Sequence, residues 1–126
     1  MHRDVHPVSQ RRRLLVADDQ RPIRRGLYAL LTLLPDIEWV GEAEDGCEAV
    51  NLVAERRPDV VLMDARMPVM DGIEATQRIK SQQPEVKVIV LTMYAEYQAE
   101  ALAAGADEFL VKGGPTEILH RAICSV

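Results

Sequence analysis

The fold is decided by the stretch LLVADD at residues 14–19, in which four apolar residues are followed at once by two aspartates. VVLMD at residues 60–64 repeats the pattern with one aspartate. Continuous apolar runs of this length are typical of strands that are buried on both faces of a parallel sheet. Because the carboxyl ends of parallel strands meet at one edge, we expect Asp18, Asp19 and Asp64 to lie close together.

Three carboxylates in one crevice repel one another unless protons or a cation neutralise them. A divalent metal ion with oxygen ligands can do this, and Mg²⁺ binds through few carboxylates together with waters and phosphate oxygens. The aspartate pattern therefore predicts a Mg²⁺ site and phosphoryl chemistry that depends on it.

Apolar runs alternate with amphipathic segments along the rest of the chain. Two helix starts are marked by an aspartate followed three residues later by a glutamate, at Asp45 and at Asp71. Alternation of this kind predicts an α/β fold, a doubly wound parallel sheet of five strands with five helices on its two faces. The strands are predicted around residues 14–17, 39–43, 60–63, 88–91 and 109–111, and the helices around residues 23–34, 45–53, 71–79, 95–104 and 115–123.

The bulk composition fits one compact domain. The chain has 126 residues, of which 48% are hydrophobic and 28% charged, and these values are ordinary for a folded globular domain. Residues 1–10 are polar and unpatterned and predict a loose tail, and residues 11–126 are predicted to form the domain. The formal net charge of −5 argues against direct binding to a nucleic acid backbone.

The cysteines and histidines have no metal-binding spacing in the sequence. Cys47 and Cys124 lie far apart, which indicates a reducing compartment rather than a disulfide. His120 stands alone, and the tail pair His2 and His6 could bind a metal only adventitiously. No apolar stretch approaches membrane-spanning length and no signal peptide opens the chain, so we expect a cytoplasmic protein without a membrane partner.

Further polar residues follow the predicted strands. Thr92 follows the fourth strand and Lys112 the fifth, at the edge where the aspartates are expected. Ligands of open α/β sheets bind at this edge. Capping of helices and turns would explain any one of these residues. It does not readily explain a carboxylate pair, a lone carboxylate, a hydroxyl and an ammonium at four strand ends.

Taken in order, the motifs resemble the receiver domain of bacterial response regulators. The resemblance runs from about Arg13 to the C-terminus and is carried by DD at 18–19, DARMPVMDG at 64–72, LT at 91–92 and AGADEFLVK at 104–112. The RMP after Asp64 and the AGAD segment further resemble the receivers of LuxR/NarL-type DNA-binding regulators. The resemblance implies a flavodoxin-like receiver fold with the strand order 2-1-3-4-5.

The resemblance also assigns roles to the strand-end carboxylates. Asp64 would be the phosphoacceptor, a nucleophile that takes a phosphoryl group from the phosphohistidine of a sensor histidine kinase. Asp19 and Asp64 would ligate Mg²⁺ directly with the backbone carbonyl of Arg66, and Asp18 would act through a metal-bound water. The protein would not be an enzyme, although it would assist its own phosphotransfer and autodephosphorylation through positioning and charge stabilisation.

Other residues would contact the phosphoryl group or respond to it. Lys112 would supply a positive charge and Thr92 a hydroxyl donor to the phosphoryl oxygens. Phe109 matches the switch aromatic, which turns inward when Thr92 moves toward the phosphate; a plain core phenylalanine is the alternative. Gly113 follows the lysine where many receivers have proline and a cis peptide bond. A cis bond without proline costs about 3 kcal/mol, so none is assumed here, and the sequence leaves the isomer open.

Arg66 and Tyr94 flank the expected path of water to the phosphoryl group. In related receivers the positions two past the acceptor and two past the threonine modulate hydrolysis. A guanidinium and a phenol should obstruct water without activating it, and Arg66 could also hold a phosphoryl oxygen. We therefore expect slow autodephosphorylation. The alternative is that both side chains point into solvent and do not affect the rate of hydrolysis.

The implied partners are a sensor histidine kinase, a second copy in a phosphorylation-dependent homodimer, and DNA only through an effector domain not in this chain.

Other classes of protein fit the sequence less well. A haloacid-dehalogenase-type phosphatase would place its second aspartate two residues after the nucleophile, whereas Asp18 and Asp19 are adjacent. A flavodoxin-like cofactor binder would need a phosphate loop rich in Ser, Thr and Gly. The remaining alternative is a receiver-like module that binds proteins and is never phosphorylated.

Overall fold

The computed structural model describes residues 11–125, and the predicted tail of residues 1–10 lies outside the described residues. No helix in this part of the chain is long and apolar enough to cross a membrane. The strands are β1 (Arg12–Ala17), β2 (Ile37–Ala43), β3 (Val60–Met63), β4 (Lys87–Thr92) and β5 (Glu108–Val111). The helices are α1 (Arg21–Leu31), α2 (Gly46–Arg56), α3 (Gly72–Gln82), α4 (Gln98–Ala103) and α5 (Thr116–Cys124), with a 3₁₀ turn at Ala95–Tyr97 before α4.

The strands pair in parallel in the order β2-β1-β3-β4-β5, which confirms the predicted doubly wound sheet. Successive residues of a strand point to opposite faces, so Leu15 packs in a hydrophobic layer with α2, α3 and α4, whereas Leu14 packs in the layer of α1 and α5. All four residues of β3 are buried. Burying a leucine or valine side chain fully contributes roughly 1.5–3 kcal/mol. This double burial explains why the runs at 14–17 and 60–63 are continuously apolar.

Both predicted helix starts are confirmed. Asp45 accepts a hydrogen bond from the Glu48 amide at 2.8 Å, and Asp71 accepts one from the Glu74 amide at 2.8 Å. Each carboxylate satisfies an amide that has no partner within its helix, and such a cap stabilises a helix by about 1 kcal/mol. The two caps fix where α2 and α3 begin on one face of the sheet.

The fourth helix is shorter than predicted. Its segment begins as a 3₁₀ turn and continues as a helix of six residues, in which Ala101 is the buried residue. Gly105 ends the segment with a φ of 106°, a left-handed conformation that favours glycine. Because little surface of α4 is buried, we expect this part of the fold to open most easily.

The AGAD segment has a structural role before β5. The Asp107 carboxylate accepts a hydrogen bond from the Val88 amide at 2.8 Å and pairs with Lys80 at 2.8 Å. Lys80 also donates to the carbonyls of Pro84 and Val86, at 3.0 and 2.8 Å. These contacts join α3 and β4 to the start of β5.

Candidate functional site

The sheet itself positions the residues that follow its strands. The Asp18 amide donates to the carbonyl of Ala43 at 3.0 Å, and the Asp64 amide donates to the carbonyl of Ala17 at 2.9 Å. The Lys112 amide in the same way donates to the last carbonyl of β4, at 2.8 Å. Each bond continues the ladder one residue past a strand end. The site residues therefore begin at the carboxyl edge, where the apolar runs stop.

The three aspartates converge as predicted. One carboxylate oxygen from each of Asp18, Asp19 and Asp64 lies within 4.8 Å of the other two. Asp18 and Asp64 are buried, with 2% and 8% of their surface exposed, whereas Asp19 is exposed. An octahedral Mg²⁺ ion with oxygens at 2.0–2.1 Å requires ligand oxygens about 3 Å apart for neighbours and about 4 Å for opposite pairs. The all-oxygen donor set fits Mg²⁺, and the exposed Asp19 leaves the outer side of the cluster open to water ligands.

Lys112 bridges the two buried carboxylates. Its ammonium nitrogen lies 2.5 Å from an Asp18 oxygen and 3.4 Å from an Asp64 oxygen. Burial raises the pKa of Asp64 and the charge of Asp18 adds to this effect, although Lys112 and a hydrogen bond from the Arg66 backbone oppose it. Three carboxylates and one ammonium leave a formal charge of −2, which one divalent cation would neutralise.

The residues around Asp64 enclose a cleft of about 670 Å³, and Asp19, Arg66, Tyr94 and Lys112 also line it. The Arg66 guanidinium lies over the Tyr94 ring, 5.1 Å from its centre. A cation–π contact of this kind is worth roughly 0.5–1 kcal/mol at an exposed site. The two side chains predicted to obstruct water therefore contact each other beside the acceptor.

Thr92 is the last residue of β4 and Phe109 lies in the neighbouring strand β5. Thr92 is fully buried, and its hydroxyl oxygen accepts a hydrogen bond from the Tyr94 amide at 3.4 Å. Phe109 is half-buried in β5 and packs, like Tyr97, against the hydrophobic layer of α2, α3 and α4. The switch role of both residues stays a prediction. The Lys112–Gly113 peptide bond is trans.

Arg24 supports the site and was not predicted. It is 7% exposed, and its guanidinium donates to the Asp18 carbonyl at 2.6 Å and to the Glu42 carboxylate at 2.7 Å. The second bond leaves the buried charge paired, as burial requires. A signal for this role existed, because Arg24 lies on the same face of α1 as Leu27 and Leu31, where an apolar residue would be ordinary.

Comparison with known proteins identifies the family. The profile of the response regulator receiver domain matches residues 14–124. The chain belongs to the response regulator receiver domain family. The transcriptional regulatory protein LiaR of Bacillus subtilis (strain 168) is 46% identical over 102 residues, which cover 79% of this receiver domain and 48% of LiaR. The receiver domain spans about half the length of the curated relatives it matches.

Solved structures agree with this assignment. A two-component response regulator of the LuxR family from Aurantimonas sp. SI85-9A1 matches with a TM-score of 0.84 and 32% identity, over 90% of this receiver domain and 82% of that chain. TrrA of Thermotoga maritima, solved in complex with Mg²⁺ and BeF, matches with a TM-score of 0.80 and 31% identity, over 89% and 96% of the two chains. The resemblance to LuxR/NarL-type receivers is therefore confirmed.

Proposed function

We propose that this receiver domain accepts a phosphoryl group on Asp64 from a sensor histidine kinase and thereby switches a surface that controls an output. The observation that carries the proposal is that the Asp64 carboxylate is grouped with the Lys112 ammonium and with the acidic pair Asp18 and Asp19. A nucleophile, a fixed positive charge and an oxygen-rich cation site within one small crevice are what transfer of a phosphoryl group requires.

The reaction needs little covalent chemistry from the protein. A carboxylate oxygen of Asp64 attacks phosphorus, the bond from phosphorus to the donor nitrogen or oxygen breaks, and the donor leaves with that electron pair. Lys112 is held by Asp18 and can therefore stabilise negative charge on the phosphoryl oxygens without first being ordered. The Asp18 carboxylate is kept in place by the Gln20 amide at 2.8 Å.

Asp19 and Asp64 would ligate Mg²⁺ directly together with the carbonyl of Arg66, and Asp18 would hold the ion through a metal-bound water. The ion, when bound, would neutralise the cluster and withdraw charge from the phosphoryl group. The Mg²⁺ in the TrrA complex supports this assignment, since the two proteins share the fold and 31% identity. Arg24 acts as a positioning residue, because it fixes the backbone at Asp18.

An apolar groove beside the cleft supports the proposal that the phosphodonor is a protein. It has a volume of about 530 Å³ and lies between α1 and α5, and Ile23 and Lys112 line both the groove and the cleft. Leu30 and Ile118 on its sides are 41% and 45% exposed. A continuous apolar surface is typical of a protein-binding site. We assign it to the kinase domain that carries the phosphohistidine.

The output that we propose is transcription. The relatives are transcriptional regulators about twice as long as this chain, so residues 11–126 would act in the cytoplasm as a switch for a LuxR-type effector domain. DNA would be bound through that domain, in line with the net charge of −5 of this chain. A homodimer that depends on phosphorylation is the simplest way to transmit the switch to DNA half-sites.

Incubation with acetyl phosphate tests the function directly. We expect the chain to take up one phosphoryl group per molecule in Mg²⁺, as an acid-stable and base-labile acyl phosphate. Chelation with EDTA should suppress the uptake, because the three carboxylates then repel the incoming oxyanion. A protein-binding module would take up none under either condition, and that result would overturn the proposal.

The switch is tested at Thr92. Beryllium fluoride serves as a stable stand-in for the phosphoryl group, and amide chemical shifts report the conformation of β5. We expect Thr92→Ala to lose most of the shift change at Phe109, because a phosphoryl group can move the equilibrium only through contacts that differ between the two states. Thr92→Ser keeps the hydroxyl and should behave as the wild type. If the chemical-shift change at Phe109 were equal in all three proteins, the Thr92 hydroxyl would have no part in the switch.

The lifetime of the phosphorylated state is tested at Arg66 and Tyr94. Both side chains line the cleft and contact each other there, so removing both should open a path for water. We expect Arg66→Asn/Tyr94→Ala to lose phosphate about fivefold faster than the wild type after donor removal, which corresponds to ~1 kcal/mol. Arg78→Asn is the matched control, because that arginine pairs with Glu74 on the surface of α3. Equal decay in the double variant and the control would refute the shielding.

A further inference from the structure

A second group of ligand-type side chains lies at the opposite edge of the sheet. Asp36 directly precedes β2, and His120 and Cys124 lie one helical turn apart on α5. The Nε2 atom of His120 is 3.0 Å from each Asp36 carboxylate oxygen, and the Cys124 sulfur is 3.4 Å from one of them. One ligand atom from each residue lies within 4.8 Å of the other two. The phosphoryl site uses none of these residues.

The arrangement does not fit a nucleophilic triad. In such a triad the histidine lies between the thiol and the carboxylate, whereas here Asp36 contacts both His120 and Cys124. Burial and the nearby Asp36 raise the pKa of the Cys124 thiol to about 11, which makes it a poor nucleophile at neutral pH. Burial opposes ionisation of Asp36, but hydrogen bonds from His120 and Cys124 and the charge of His120 lower its pKa overall.

We propose that Asp36, His120 and Cys124 form a binding site for Zn²⁺ or a similar transition metal ion, with water as the fourth ligand. Tetrahedral Zn²⁺ with its usual bond lengths holds a histidine nitrogen and a carboxylate oxygen about 3.3 Å apart, and a sulfur and an oxygen about 3.5 Å apart. The corresponding distances in the structure are 3.0 and 3.4 Å. Binding therefore requires shifts of only a few tenths of an ångström at these pairs.

The chemistry of the donor set selects the class of metal. Thiolate and imidazole favour Zn²⁺ and related ions over Mg²⁺, which prefers oxygen. One carboxylate, one thiolate and one neutral imidazole carry a formal charge of −2, so a divalent ion makes the site neutral. The thiol proton is displaced as the metal binds. All three residues are partly exposed, which leaves room for the ion to enter and for a water ligand.

The end of α5 is held in place without the metal. Arg12 donates from Nε to the Ile123 carbonyl at 3.0 Å, and the Lys87 ammonium donates to the Ala122 carbonyl at 2.5 Å. These bonds fix the last turn of the helix, which carries Cys124. A site that is already ordered loses less entropy when it binds its ligand. The bound ion would join α5 to the segment between α1 and β2.

Zinc binding by the full chain tests the proposal. The titration uses a competing chromophoric chelator and excess Mg²⁺ to occupy the aspartate site, in a His2→Gln/His6→Gln background that removes the tail histidines. We expect one Zn²⁺ per chain, and a loss of affinity of roughly 100-fold in both His120→Gln and Cys124→Ser. Cys47→Ser is the matched control, because Cys47 is exposed at the start of α2, and it should bind as the parent protein does.

Cobalt supplies a second readout that does not depend on the variants folding. Co²⁺ bound at the site should give a thiolate-to-metal charge-transfer band in the parent protein and in Cys47→Ser. Circular dichroism checks the fold of the His120 and Cys124 variants. Zinc affinity that is unchanged in folded His120→Gln and Cys124→Ser, or a Co²⁺ spectrum of the parent protein without the thiolate band, would overturn the proposal.

Discussion

Replacing Asp64 by asparagine is expected to lower phosphoryl incorporation from acetyl phosphate by more than about 100-fold, because an amide oxygen is not a nucleophile of useful strength. The substitution keeps the size of the side chain and leaves Asp18 and Lys112 in place. Radiolabelled acetyl phosphate in Mg²⁺, followed by acid precipitation and base treatment, measures the acyl phosphate. The other two carboxylates should not compensate, because Asp18 is already engaged by Lys112 and Gln20.

The matched control lies at the other end of the same strand. Asp59 immediately precedes β3, and its carboxylate accepts a hydrogen bond from the Arg13 amide at 2.8 Å. Asp59→Asn retains a carbonyl oxygen for that bond and should incorporate phosphate at the wild-type rate. If Asp64→Asn were labelled as fast as the wild type, Asp64 would not be the phosphoacceptor, whatever the rate of the control.

Loss of stability should not account for the effect of Asp64→Asn. The pKa of Asp64 is raised in the folded protein, so protonation of this group stabilises the fold below its unfolded pKa. That contribution is lost as the pH rises through the folded pKa, which means that the ionised carboxylate disfavours folding at neutral pH. In buffer without Mg²⁺, urea denaturation at neutral pH should therefore find the variant at least as stable as the wild type.

The fold and most of the site could be predicted because both follow from local patterns. A buried strand in a doubly wound sheet must be apolar on both faces, and the first polar residue marks its carboxyl end. Asp64 illustrates this, since its amide completes the ladder with Ala17 and its carboxylate then enters the crevice. The helix starts at Asp45 and Asp71 were equally predictable, because capping involves residues three apart.

Features that depend on distant contacts could not be predicted in this way. His120 and Cys124 are 84 and 88 residues from Asp36, and no periodicity in the sequence relates them. Arg24 is a partial exception, because its position on the buried face of α1 marks it in the sequence, whereas its hydrogen bonds to the Asp18 carbonyl and to Glu42 do not follow from that pattern. The length of α4 was mispredicted for a different reason. Its alanine-rich segment has helix propensity, but it has little apolar surface to bury against the sheet, so only six residues form the α-helix.

Substituting Gly72 by alanine is expected to destabilise the protein by about 3 kcal/mol and to impair phosphorylation as well. Gly72 is the first residue of α3, and its amide donates to the Ala65 carbonyl at 2.9 Å. A Cβ atom there would lie 1.8 Å from the carbonyl oxygen of Asp64 and 3.0 Å from the Met63 side chain. The oxygen belongs to the backbone of the acceptor, so the clash can be relieved only by moving Asp64 or α3.

Gly26→Ala is the control that separates this clash from the general effect of adding a methyl group. Gly26 lies inside α1, and a Cβ atom there would meet no other atom within 4 Å. Alanine is favoured over glycine in a helix interior by roughly 0.5–1 kcal/mol, so Gly26→Ala should be more stable than the wild type. Urea denaturation and the initial rate of labelling measure both variants. If Gly72→Ala were as stable as Gly26→Ala and were labelled at the normal rate, the prediction would be wrong. The loop after Asp64 would then accommodate the methyl group without strain, and close packing at Gly72 would not hold the acceptor in place.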